Sequence, residues 1–388
     1  MKFNKWSLAL AATGVVSVAS VAQAQESHPV NTLLSSTTLS GFVDTSAIYN
    51  VGTGSHVANR FVNTGSDRQD GFNLNSVNVQ LEKPIDEGTW SAGYKAELMF
   101  GPDAAVMPGR LGSGSDLAIK QAYAALRAPV GNGIDIKVGQ FDPIIGYETT
   151  SSYQNPNFAR SLAFYNLQPL GHQGVLTSYQ FSDSIGLSVG VANSSNNGRA
   201  GSNNPRGWVG GINGKSDVES YKSYMAGIVL KAPESLGWLA GSSLYAGVVK
   251  GLDSGSNNDP VNFYVGASVA TPIEALTLGV AYDYQANGSA DSSYANALAG
   301  YISYQLTEKL KVNNRVEYAT SSGGVFLPGG SNDERVFALT STLDYALFAN
   351  VVTRAEARWD TAIGGSNLRP FDGEKNDVSL TLNVIYKF

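Results

Sequence analysis

The residues that could do chemistry in this chain are charged pairs, not nucleophiles. There is no cysteine, and the three histidines are His28, His56 and His172. A zinc site needs three or four ligands at set spacing, and none converge here in sequence. A serine hydrolase would need His172 as its base, yet no segment carries a serine in phase with it. Residues 210–216, GGINGKS, have Val209 where a phosphate-binding loop needs glycine, and they lack a strand–loop–helix setting. The Asp/Asn/Gly clusters at 253–259 and 329–334 lack the spacing of a calcium loop and read as solvated tips. The expectation is therefore no catalytic residue, no metal ligand and no cofactor.

What remains is acid and base at every second position. Arg354, Glu356, Arg358 and Asp360 alternate with small or apolar residues, as do Lys311, Arg315 and Glu317, and Lys95 with Glu97. A period of two puts such residues on one face of a strand. Seven bases share that face: Lys95, Lys137, Lys311, Arg315, Arg354, Arg358 and Lys387. Eight acids do so as well: Asp44, Glu82, Glu97, Asp135, Asp283, Glu317, Glu356 and Asp360. Lining a water-filled lumen, a near-balanced set implies weak ion selectivity, because strong selectivity takes a ring of one sign. The same charges could instead pair across neighbouring strands and stabilise the wall.

The elements that must position them are strands. Trp90 to Phe100 and Val378 to Phe388 alternate apolar and polar residues cleanly. Sixteen segments read this way: 38–51, 74–83, 88–101, 117–128, 133–141, 173–182, 184–194, 220–232, 240–251, 260–271, 275–286, 294–306, 309–321, 334–346, 349–360 and 376–388. The phase of 117–128 and 240–251 is ambiguous, since Ala and Gly suit either face, and fourteen strands is the alternative. Short links alternate with long ones throughout. A soluble sandwich has no reason to sort its loops by side, whereas a transmembrane antiparallel up-and-down β-barrel has short periplasmic turns and long extracellular loops. In lipid, closure also satisfies every backbone N–H and C=O. Tyr49, Trp90, Phe100, Tyr318, Trp359 and Tyr386 suit the aromatic girdles at the two membrane surfaces.

Composition agrees. Charged residues make up 15%, below the ~25% usual in soluble domains. There are 43 Gly and 19 Tyr, and no disulfide can close the fold. Lys2 and Lys5, the apolar run from Ser7 to Val21 and Ala22-Gln23-Ala24 form a cleavable secretory signal. The expected organisation is a signal peptide over 1–24, a short periplasmic lead over 25–37 and an outer-membrane β-barrel over 38–388. That lead is too short for a plug domain. A net charge of −6 argues against nucleic acid as a partner.

One connection differs from the others. Residues 142–172 carry Tyr147, Tyr153, Phe158, Phe164 and Tyr165, with Pro143, Pro156 and Pro169 to stiffen the path. Aromatics are costly in free water, so the segment should pack against something. The lumen wall is the nearest surface, with the outer rim or a subunit contact as alternatives. Inside the lumen, Asp142, Glu148 and Arg160 would sit in a constriction with His172 at its exit, and alanine at Glu148 and at Arg160 would shift ion selectivity in opposite directions.

QAYAAL (121–126), VGQFDPIIGYE (138–148) and NPNFARSLAFYNLQPLGHQGV (155–175) resemble the OmpL-like putative β-barrel porins. The final NVIYKF, ending in Phe388, is similar to the assembly signal of outer-membrane barrels, which implies the barrel-assembly machinery as a partner. The resemblance implies a bacterial outer-membrane porin without cofactor, surrounded by lipid and passing small hydrophilic solutes and ions. It supplies no catalytic residues, and a homotrimer is the association common among porins of this size. Two rivals are a surface or adhesion protein that uses the barrel as an anchor, and an outer-membrane hydrolase.

Overall fold

Strict alternation of lipid-facing and lumen-facing residues is stable only if both sheet edges disappear. In the computed structural model they do. The structure describes residues 36–51, 71–87, 90–107, 109, 111, 115–193, 222–251, 259–289, 292–327, 333–363, 369–371 and 373–388. The signal segment 1–24, nearly all of the lead 25–37, His28, His56 and GGINGKS (210–216) lie outside these residues, as does most of both Asp/Asn/Gly clusters.

Sixteen strands form one closed antiparallel barrel in which each pairs with its sequence neighbours. They are β1 (Thr38–Val51), β2 (Gly71–Lys83), β3 (Ser91–Phe100), β4 (Leu117–Ala128), β5 (Ile134–Phe141), β6 (His172–Ser182), β7 (Ile185–Ala192) and β8 (Ser223–Lys231). The second half comprises β9 (Ser243–Lys250), β10 (Val261–Ala270), β11 (Leu276–Ser289), β12 (Ser292–Gln305), β13 (Leu310–Ser321), β14 (Glu334–Phe348), β15 (Val351–Ala362) and β16 (Asn376–Lys387). All sixteen segments read from the periodicity are strands, with ends moved by a few residues.

Closure depends on β1 and β16, which pair from Phe42↔Lys387 to Val51↔Val378. The final residue locks the seam. Gly41 N–H donates to the Phe388 carbonyl at 2.9 Å, and Phe388 N–H donates back to Gly41 at 3.0 Å. A Cβ on Gly41 would lie 2.6 Å from the Phe388 ring, so glycine is what lets the ring lie flat there. The six aromatics assigned to the girdles are all exposed on the barrel's outside.

The sorting of loops by length has two exceptions. The β11–β12 link, on the long-loop side, is only 290–291, because these 14-residue strands extend their ladder beyond Ala286↔Tyr294 to Ser289↔Ser292. On the short-turn side, the β8–β9 link contains a 3₁₀ turn, Glu234–Leu239, which leaves Leu236 and Trp238 exposed. Apolar residues at that level suit the membrane interface.

The chain has no cysteine, so sidedness can be read by single labels. Asn287→Cys, in the β11–β12 hairpin, should react with an impermeant maleimide on whole cells. Glu308→Cys, in the opposite turn, should react only after the outer membrane is opened. The reverse pattern would invert the barrel's orientation.

Candidate functional site

The site is the interior. β5 has only eight residues and ends at Phe141, opposite His172 of β6. The chain leaves the wall there and runs through the lumen over 142–171. Its first part is apolar. Ile144, Ile145 and Tyr147 join Phe141 in a cluster with Leu176, Met225, Val249, Tyr264, Ala281 and Tyr301, which line β6 and β8–β12. The Tyr147 and Tyr301 rings stack with centroids 4.0 Å apart.

Glycine clears the path for this segment. A Cβ on Gly227 would meet Ile144 at 3.2 Å, and one on Gly247 would meet Ile145 at 2.6 Å. One on Gly279 would run into the Tyr147 hydroxyl. These glycines lie on the inner faces of β8, β9 and β11, so their lack of side chain forms a trough across the wall.

The second part of the loop is held by charge. Arg315 of β13 is fully buried and uses all five of its N–H groups. It donates to Glu148 Oε1 at 2.7 Å, the Ala159 carbonyl at 2.7 Å, Glu317 Oε2 at 2.7 Å, the Arg160 carbonyl at 3.1 Å and Thr340 Oγ1 at 3.2 Å. On β15, Arg354 donates to the carbonyls of Ser152 at 3.0 Å and Asn155 at 2.9 Å, and to Asp344 at 2.9 Å. Arg358 donates to the Arg160 carbonyl and, in a two-point contact, to Asp360, each at 2.7 Å.

The wall acids do the reciprocal job. Glu356 accepts the N–H groups of Phe158 at 2.6 Å and Ala159 at 2.8 Å. Glu317 accepts from Leu162 N–H at 2.6 Å, at the start of the short helix α1 (Leu162–Asn166). Asn157 reaches Thr342 of β14 at 2.7 Å. Buried backbone groups need such partners, since an unpaired one costs about 1–3 kcal/mol.

Each sequence candidate now has a place. Glu148 and Arg160 come together in mid-lumen, 4% and 3% exposed. Glu148 accepts from Ser161 N–H at 2.7 Å and the Tyr301 hydroxyl at 3.2 Å, besides pairing with Arg315. Arg160 donates to the carbonyls of Phe158, Thr149 and Thr150, within its own loop. Burial pulls its guanidinium down to about 10, with Glu148 opposing, so it stays charged at neutral pH. Asp142 sits at the first root of the loop, 3.7 Å from Lys120. His172 is the first residue of β6 rather than the end of the loop, fully buried beside the Phe141 ring.

On the wall, Glu97 pairs with Lys120 at 2.7 Å and with Lys95 at 3.5 Å. Lys137 lies over the Tyr123 ring at 4.9 Å. Lys311 stands directly across from Asp344. Sequence reasoning missed Lys120, which also donates to Ser151 Oγ of the loop at 3.1 Å. The cause is a bulge: Glu97 pairs with Gln121 and Leu98 with Ile119, so Lys120 is the extra residue that flips the phase of β4. It also missed Glu334, whose carboxylate accepts from the N–H groups of Val325, Phe326 and Leu327. That contact folds a second loop inward, where Phe326, Leu327 and Phe371 cover Leu162, Ala163 and Leu167. Among the described residues, no group of three or more His, Asp or Glu is placed to hold a metal.

A closed sixteen-strand barrel with a loop folded into its lumen has the architecture of an outer-membrane porin. The family model described as "Putative beta-barrel porin-2, OmpL-like" matches residues 36–388, and the chain belongs to that family. No curated protein matches it. Several solved structures share the fold at low identity. The outer membrane channel DcaP of Acinetobacter baumannii is 15% identical with a TM-score of 0.57, over 91% of this chain and 97% of that one. The anion-selective porin from Comamonas acidovorans is 13% identical at 0.57, over 91% and 99%. OmpT of Vibrio cholerae, in a trimer form, is 12% identical at 0.56, over 91% and 99%. The protein is thus a porin of the bacterial outer membrane, a membrane-embedded channel that passes small hydrophilic solutes and ions.

Arg315→Ala should leave Glu148 buried without its cation and Glu317 with Arg358 alone, 3.5 Å away, a loss of about 3–5 kcal/mol. The denaturant midpoint of the purified barrel in detergent reads it. Glu356→Gln keeps one acceptor oxygen but turns its NH2 toward the other loop N–H, and should cost less, about 1–3 kcal/mol. Equal midpoints for the two variants would remove the clamp from the account.

Proposed function

We propose that residues 142–171 are the constriction of a passive diffusion pore, braced internally by Glu148 and Arg160 and rooted at Asp142 and His172. The observation that carries this reading is the grip of Arg315, Arg354, Arg358, Glu317 and Glu356 on the loop backbone. A sixteen-strand barrel is too wide for its own side chains to fill. A segment pinned across it therefore sets the passage. With Glu148 neutralised by Arg315 of the wall and Arg160 bound to carbonyls of its own loop, both act on shape, and selectivity falls to other residues. The wall residues Lys95, Lys137 and Lys311 then border the water that remains.

The reading favours no chemistry on the solute. His172, the one candidate base, is enclosed at the β5–β6 junction and is 0% exposed. A hydrolase would need that base open to substrate. An adhesive barrel would present its outer loops and need no inner clamp.

Planar-bilayer recording tests the reading. The wild-type barrel should give stepwise, ohmic conductance. Replacing 149–160 by a short Gly-Ser linker should raise the single-channel step several-fold and make the current noisier. A folded wild-type barrel that passes no current would exclude a diffusion pore, and an unchanged step in the variant would free the loop of any role as constriction.

A further inference from the structure

The balance of acids and bases changes once the loop is in place. Several wall acids are bound to structure. Glu356 and Glu317 hold loop N–H groups, Asp360 holds Arg358, and Asp283 accepts from Gln168 of the loop at 3.0 Å. None of these four is more than 6% exposed. The three arginines of β13 and β15 are matched by Glu148, Glu317, Asp344 and Asp360. Of that clamp, the Arg354–Asp344 pair lies level with Lys311, and the rest lies nearer the extracellular ends of the strands.

The half of the lumen next to the short turns differs. Arg127 and Asp135 pair at 3.3 Å and cancel. Lys95 and Lys120 are balanced by Glu97 and Asp142. With those pairs set aside, Lys137, Lys311 and Lys387 stand against Glu82 on the inner faces of the strands, with Lys231 on the inner face of β8 and the acids Asp86, Glu87, Asp183, Glu234, Glu274 and Glu308 in the short turns beyond. Among the described residues none of the three lysines makes an ion pair. Lys137 and Lys387 rest on tyrosine faces, of Tyr123 at 4.9 Å and Tyr153 at 5.9 Å. Asp344, across from Lys311, is already bonded to Arg354 at 2.9 Å. Glu82 accepts from Gln80 at 2.6 Å.

Their spacing makes a ring and not a patch. Lys137 is the fourth residue of β5, Lys311 the second of β13 and Lys387 the last of β16, so all three lie near the periplasmic rim on well-separated strands. A cation resting on an aromatic face keeps its charge and part of its hydration, and is free to meet an anion. Low-dielectric walls focus the field of such charges into the water between them.

We infer that the periplasmic half of the lumen is a basic vestibule, ringed by Lys137, Lys311 and Lys387, that favours small anionic solutes over cationic ones. This rests on the porin reading above. The loop and the vestibule divide the labour: the loop sets size, and the lysines set charge preference.

The test is the reversal potential of the purified barrel in a KCl gradient across a planar bilayer. The wild type should favour chloride over potassium. Lys137→Gln and Lys311→Gln should each lower that preference, and Lys137→Glu with Lys311→Glu should invert it. The heat-modifiable gel band confirms that each variant is folded. Lys387 is left intact in these variants because it lies in the closing strand. The preference should weaken at high salt, where charges are screened. A wild type that favours potassium or shows no preference would overturn the inference and leave the porin reading standing, as would variants with unchanged reversal potential. A folded barrel without current would overturn both.

Discussion

The interior depends on one constraint: a peptide chain laid across a membrane-spanning lumen must have its N–H and C=O groups satisfied by something other than its own secondary structure. Residues 142–171 form one short helix and one 3₁₀ turn and are otherwise irregular. Irregular backbone at membrane depth is tolerated where protein or water supplies partners. Here three guanidinium groups supply donors to loop carbonyls, and two carboxylates supply acceptors to loop N–H groups. Arginine suits the task because its rigid fork holds several acceptors at once and never loses its charge. The three arginines are in turn neutralised by near neighbours on the wall, Arg315 by Glu317, Arg354 by Asp344 and Arg358 by Asp360.

The lumen is therefore two-sided. Strands β8 to β11 present Met225, Val249, Tyr264 and Ala281 together with Gly227, Gly247 and Gly279, and the apolar start of the loop lies in that trough. Strands β13 to β15 present alternating acid and base, and the polar middle of the loop lies there. Tyr301 on β12 sits at the boundary, stacking on Tyr147 and donating to Glu148. The loop's own sequence changes character at that residue, from IIGY to ETTSS. Matching the loop to the wall along its length fixes its register as well as its depth. Buried ion pairs add little net stability against apolar substitutes, so their use here fits a need for backbone partners more than for energy.

Much of this was legible in the sequence. Every strand was, because a membrane barrel enforces a period of two on both faces. Alternation also identified the charged positions on β13 and β15. The aromatics and prolines of 142–172 marked it as packed rather than solvated. What periodicity could not reveal was the use of those charges. A carboxylate that lines water and one that holds a backbone N–H look the same in one dimension, so Glu356 and Arg358 read as lining when they are clamps. Lys120 was hidden because a one-residue bulge reverses the phase of β4 beyond it. The glycines of the trough were visible only as composition, since their meaning depends on what lies 3 Å away in a distant segment.

The loop lies inside the barrel, with its tip against the β1–β16 seam. Tyr153 is the marker for that position, with its ring 5.2 Å from Phe42 and beneath the Lys387 ammonium. Cysteines at Tyr153 and Lys387, in a chain with none of its own, can be bridged by a short bismaleimide in the folded, detergent-solubilised barrel. An intramolecular bridge located by peptide mass spectrometry is the expected result, with none for a pair at Asn287 and Lys387 at opposite ends of the wall. Separate modification of both cysteines without a bridge would place the loop elsewhere and contradict the account.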